Sequence, residues 1–192
     1  MRRIIALAAG LLSAVAALSS AQAAFDIDPL TREPLVPMTA VVPQATAIPR
    51  ETVAYAGPHG AGTVIISTKE RRLYYVLGNG TAVRYAVGVG RPGFEWGGSK
   101  PITRKAEWPS WTPPSQMLRR RPDLPRFMKG GPDNPLGARA MYLGSSLYRI
   151  HGSNEPETIG QAVSSGCIRM LNNDVVDLYE RVRVGTRVVV MR

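Results

Sequence analysis

The chain has 192 residues, 44% of them hydrophobic, which is enough for one domain with a packed core and excludes a disordered polyelectrolyte. Its 24 Lys and Arg against 14 Asp and Glu give a formal charge of +10, which suits an anionic partner or simply solubility. A single Cys and two His exclude a disulfide framework and are too few for a Cys/His zinc site, so neither metal nor cofactor is expected.

Met1-Arg2-Arg3 precedes an apolar run over 4–18, then Ser19-Ser20 and Ala21-Gln22-Ala23. A basic start, a short apolar centre and an A-x-A site read as a secretory signal peptide, 1–23, cleaved after Ala23. The run falls short of the ~20 residues that span a bilayer. The leader holds two Arg and no acid, so its removal lowers the charge to +8. Export to the periplasm or cell envelope argues against nucleic acid and for an anionic envelope polymer.

Residues 24–60 show no strand or helix period and contain Pro29, Pro34, Pro37, Pro43, Pro49 and Pro58, a Pro-rich linker. His59 lies in its Gly57-Pro58-His59-Gly60 turn and reads as a solvated loop residue. From 61 to 192 the pattern is that of one mainly β domain, a sandwich or open barrel. Strands are predicted at 63–67, 72–77, 81–88, 102–108, 139–143, 147–150 and 187–191, with a hairpin turn at Gly78-Asn79-Gly80. Between the fourth and fifth of these, 109–137 is a Pro-rich irregular stretch carrying Arg119-Arg120-Arg121. Its length suggests a flap over a substrate. One short helix is predicted near 173–182, where Val175, Leu178, Tyr179 and Val182 share a face. Asn172 or Asn173 is expected to cap it and Gly185 to close it.

The chemistry concentrates between Tyr148 and Met170, where the one Cys, Cys167, follows His151 by sixteen positions. A thiol must lose its proton to attack a carbonyl, and an imidazole at the end of a strand can take it. Gly166 suits a sharp bend, and backbone donors of Ser165, Gly166 and Cys167 are candidates for an oxyanion hole. That set serves acyl transfer without a metal. Glu155 and Glu157 read as solvated loop acids. Trp96, Trp108 and Trp111 are candidates for stacking on sugar or for packing, and Tyr142 and Tyr148 for lining a cleft.

The strings His151-Gly152-Ser153 and Ser164-Ser165-Gly166-Cys167-Ile168-Arg169-Met170, with the Val87-Gly88-Val89-Gly90-Arg91-Pro92 turn, resemble the signature of the YkuD-type L,D-transpeptidases over about 61–192. The resemblance implies a β-rich fold with a cleft ending at Cys167, the nucleophile. It makes His151 the base, with the Gly152 carbonyl orienting its ring, and it implies substrate-binding roles for Arg169, Tyr142 and Ser153. Arg169 would hold a carboxylate or brace the turn. The implied substrate is the peptidoglycan stem peptide, cut after its third residue with loss of D-Ala. The resulting thioester would pass to an amine in a cross-link, an envelope protein or a free D-amino acid. A carbapenem is the implied covalent inhibitor. Many relatives carry His where this chain has Ser165, which leaves the role of that side chain open.

Two other functions fit parts of the pattern. A carboxypeptidase or hydrolase would use the same Cys167 and His151 with water as acceptor. A non-catalytic wall-binding protein would have a structural Cys that resists alkylation.

Overall fold

The computed structural model describes residues 49–192 and two short strands before them. The chain divides into units Met1–Val42 and Pro43–Arg192. In the first, β1 (Asp26–Ile27) pairs antiparallel with β2 (Pro34–Leu35). The expected leader lies outside the described residues.

In the second unit, short apolar runs form strands of one nine-stranded sheet. They are β3 (Glu51–Ala54), β4 (Val64–Ser67), β5 (Arg72–Gly78), β6 (Thr81–Ala86), β8 (Gly98–Glu107), β9 (Arg139–Leu143), β10 (Arg149–His151), β12 (Ile168–Arg169) and β13 (Arg187–Met191). A separate parallel pair joins β7 (Val89–Gly90) to β11 (Ala162–Ser164). The large sheet runs β12-β10-β9-β8-β13-β4-β5-β6-β3 and does not close on itself. The β5–β6 hairpin forms where predicted, because Gly78, Asn79 and Gly80 all take the positive φ that a tight hairpin turn requires.

The long strand β8 joins the two halves of the sheet. Its first residues, Gly98 to Pro101, pair with β13, and from Ile102 onward it pairs with β9, with a register shift between Ile102 and Arg104. A shift of this kind bends a strand. Val64, Ile66, Leu73 and Tyr85 from one half share a core with Ile102, Met141, Leu143, Ile150 and Ile168 from the other. Helix α2 (Asn172–Arg181) inserts Val175 and Leu178 into it, both fully buried, with Val182 behind them and Tyr179 at the margin. This is the apolar face read from the sequence. The Tyr85 hydroxyl donates to Asp177 of α2 at 2.5 Å, tying the hairpin to the helix.

Three expectations are corrected. The stretch read as linker up to residue 60 contributes β3, which pairs with β6 as an edge strand, and Arg50 beside it forms a 3.0 Å ion pair with Asp174. A second helix, α1 (Ser115–Arg120), lies inside the irregular 109–137 stretch, where Pro113 and Pro114 mask its start. Leu171 rather than Asn172 or Asn173 is the N-cap of α2 and supplies no side-chain cap, Asn172 spends its amide elsewhere, and Val182 rather than Gly185 occupies the C-cap.

Candidate active site

Strand parity and register assemble the site. On β10, Ile150 points into the core, so Arg149 and His151, one residue either side, share the opposite face. The parallel pairing of β10 with β12 aligns Ile150 with Ile168 and His151 with Arg169. Extended one residue back, the same register sets Cys167 beside Arg149.

Cys167 ends a turn that is braced on every side. Gly166 has φ +102°, a left-handed conformation that an L side chain rarely adopts, and a Cβ there would lie 2.6 Å from the ring of Tyr148. That ring stacks on Trp96 at 4.5 Å, and the Trp96 indole N–H donates to the Gly166 carbonyl at 2.7 Å. Buried Ser164 donates its hydroxyl to the Cys167 carbonyl at 2.6 Å and accepts the Gly166 N–H at 3.1 Å. The half-buried thiol donates to the Leu147 carbonyl at 3.7 Å.

His151 is buried, with Nδ1 2.5 Å from the Gly152 carbonyl. A carbonyl only accepts, so Nδ1 carries the proton and Nε2 keeps a lone pair. Burial, with the charges of Arg169 and Arg149 adding to it, pushes the imidazole pKa down to about 3 against the opposing pull of the Gly152 carbonyl. The ring is therefore neutral at pH 7. Behind it, Asn172 accepts the Ala138 N–H at 2.9 Å and donates to the Ser153 carbonyl at 3.1 Å. A Cβ on Gly152 or Gly137 would collide with that amide.

Cys167, His151, Ser165 and Arg169 line one cleft of about 400 Å³. Its far wall comes from the 109–137 stretch through Trp111, Met117, Arg120 and Leu136, as a flap would supply. No carboxylate lines the cleft among the described residues, whereas Arg120, Arg149 and Arg169 do.

Several expected roles are corrected. The Gly166 amide is committed to Ser164, so the candidate oxyanion donors reduce to the N–H groups of Ser165 and Cys167, which have no partner among the described residues. Tyr142 does not reach the cleft: its ring lies between the guanidinium of Arg104 at 3.6 Å and that of Arg149 at 5.3 Å. Ser153 is buried and caps the following turn by accepting the Glu155 N–H at 3.0 Å. Arg169 lines the cleft and is paired at 2.7 Å with Glu155, a solvent-exposed loop acid as expected but one with an ion-pair partner. Trp96 packs; it is not free to stack on sugar. Ser165 accepts a hydrogen bond from Arg91 at 3.1 Å.

Sequence reasoning named Ser164, Trp96 and Tyr148 but not their bracing of the cysteine turn, and it missed Arg149, whose signal is its spacing of two from His151 on a strand.

Comparison with known proteins agrees with this geometry. Residues 61–190 match the YkuD family model, described as the L,D-transpeptidase catalytic domain. The Escherichia coli (strain K12) protein named "Probable L,D-transpeptidase ErfK/SrfK" is 41% identical over 134 residues, 65% of this chain and 42% of that protein. This chain thus spans less than half of that relative. A solved Brucella melitensis structure named "Probable carnitine operon oxidoreductase caia" is 45% identical, covering 74% of this chain and 93% of its own, with TM-score 0.51. L,D-transpeptidase 3 from Mycobacterium tuberculosis, solved with a faropenem-derived adduct, shares the fold at 18% identity and TM-score 0.55, covering 68% of this chain and 60% of its own. With a family model matched over residues 61–190, which include the cysteine turn, the chain belongs to the YkuD family of L,D-transpeptidase catalytic domains.

Proposed function

We propose that the protein is a peptidoglycan L,D-transpeptidase with Cys167 as nucleophile and His151 as base. The observation that carries this is a thiol and a neutral imidazole lining one cleft, with the imidazole tautomer fixed by the Gly152 carbonyl.

A base buried this deeply gains a proton only when a negative charge forms beside it. Proton transfer is therefore coupled to attack, and a resting ion pair is not maintained. The Cys167 proton passes to Nε2 of His151 as sulfur adds to the carbonyl after the third stem residue. The oxyanion that forms faces the N–H groups of Ser165 and Cys167. Collapse breaks the peptide bond, and His151 returns the proton to the departing amine of D-Ala. An acceptor amine then repeats the sequence on the thioester, giving a cross-link, an attached envelope protein or an exchanged D-amino acid, and restoring the thiol. Arginines lining a cleft without carboxylates suit an anionic peptide.

The leader reading places the enzyme in the periplasm or cell envelope after cleavage at Ala23, with 24–60 partly an arm. Among the described residues no helix is long and apolar enough to cross a membrane. A carbapenem is the proposed inhibitor, by analogy with the faropenem-derived adduct on the related fold.

The test is mass spectrometry of the purified protein with a disaccharide tetrapeptide, beside Cys167→Ala. The expected result is a cross-linked dimer formed with loss of D-Ala, absent in the variant. Tripeptide without dimer, even with an added amine acceptor, assigns water as the acceptor. An identical product pattern from Cys167→Ala would overturn the nucleophile.

A further inference from the structure

Among the described residues three guanidinium groups have a buried Nε without a hydrogen-bond partner: those of Arg84, Arg139 and Arg149. Arg84 is paired with Glu51 and Arg139 with Glu107. Arg149 has no carboxylate partner among the described residues, yet it lines the cleft beside Cys167 and His151. A partly buried cation that lacks both an acid and a full set of acceptors is costly, and such sites are filled by a ligand or by water. Its placement is held firmly. Tyr142, its antiparallel partner across β9 and β10, supports the guanidinium at 5.3 Å and is itself backed by Arg104. By contrast, Arg169 in the same cleft is already neutralised by Glu155.

We infer that Arg149 binds the C-terminal carboxylate of the donor peptide and so selects donors ending one residue past the scissile bond. This rests on the transpeptidase reading for the identity of the donor. The departing amine must receive its proton from His151, so the leaving residue lies along the face of β10 that Arg149 and His151 turn to the cleft. Arg149 is the next residue on that face, about 7 Å along the strand, within reach of a carboxylate one residue beyond the attacked carbonyl. A guanidinium fork suits a carboxylate and gains little from an amide, which has one oxygen and its own donors.

The experiment compares kcat/KM of the whole protein on three donors: the tetrapeptide, its C-terminal carboxamide, and a tetrapeptide amidated instead at the side-chain carboxyl of its third residue. Wild type is expected to favour the free C-terminal acid over the carboxamide by about 10- to 100-fold, the range of a charge-assisted hydrogen-bonded pair. Arg149→Gln should bring that ratio near one, mainly through KM, while Arg149→Lys retains part of it. Arg120→Gln, on the opposite wall, should leave it intact. Using a ratio cancels any change in His151 or in the fraction folded, since both donors meet the same protein. The proposal is overturned if Arg149→Gln keeps the preference, if Arg120→Gln loses it equally, or if side-chain amidation is the discriminated change. Alkylation of Cys167 by iodoacetate against iodoacetamide separates this from failure of the transpeptidase reading. No donor turnover, with an iodoacetate-to-iodoacetamide rate ratio that drops several-fold in Arg149→Gln, faults the reading and supports the anion site. An unchanged ratio overturns the site itself.

Discussion

Replacing His151 by Asn removes the titrating ring but keeps an amide N–H near the position of Nδ1, able to donate to the Gly152 carbonyl. In the native protein the imidazole pKa is pushed down to about 3, while in the unfolded chain it returns to about 6.5. Above pH 6.5 the ring is neutral in both states and its burial costs nothing extra. Between pH 6.5 and about 3 the unfolded chain binds one proton more than the folded chain. Stability then falls by about 1.4 kcal/mol for each pH unit of acidification, about 5 kcal/mol across the window. Down to pH 4.5, where carboxylate losses remain modest and are common to both proteins, the His151 share is about 3 kcal/mol. Urea unfolding of wild type and His151→Asn at half-unit steps from pH 7.5 to 4.5 reads this directly. The wild-type midpoint should drop by about 1–3 M more than that of the variant. Parallel midpoint curves would show that the imidazole is not held neutral, and the coupled proton transfer argued above would lose its basis.

Ser164→Ala should cost about 2–4 kcal/mol in denaturant unfolding, because it orphans the Gly166 N–H and the Cys167 carbonyl, both held by that hydroxyl. Acylation of Cys167, followed by intact mass, should slow in the same variant at temperatures where it remains folded. Gly166→Ala combines backbone strain of about 1–3 kcal/mol with overpacking against Tyr148. Loss of more than about 2 kcal/mol and a shifted near-UV signal from Trp96 are expected. Asn172→Ala should lower stability by about 2 kcal/mol through the Ala138 and Ser153 contacts. It should also reduce kcat more than iodoacetamide labelling of Cys167, since it loosens the support behind His151 rather than the thiol.

What was legible in the sequence was what local chemistry dictates. Asn79-Gly80 announces a hairpin because few other pairs tolerate its backbone angles, and the 3.6 period of Val175, Leu178, Tyr179 and Val182 announces a helix face. The spacing of His151 and Cys167 with their glycines pointed to two residues that line one cleft. What was not legible depends on long-range pairing. The edge strand β3 hides in a Pro-rich stretch because its partner β6 supplies the order that its own composition lacks. Helix α1 follows a proline pair that reads as loop. Tyr142 and Ser153 stand close to the site in sequence. The Tyr142 ring lies against Arg104 and the Ser153 hydroxyl accepts the Glu155 N–H, contacts that no apolar period announces.

Strand β13 lies between β8 and β4, so within the large sheet the half bearing His151 is hydrogen-bonded to the hairpin half through the last strand in chain order, beside a single bridge from Gly88 to Arg169. The Thr68 hydroxyl donates to the Met191 carbonyl across 123 positions of sequence. A chain emerging from its amino end holds β4 and β5 early but cannot complete the sheet until 187–191 arrive. The cysteine turn thus belongs to a sheet whose two halves are joined side by side only once the residues of β13 have been made and paired.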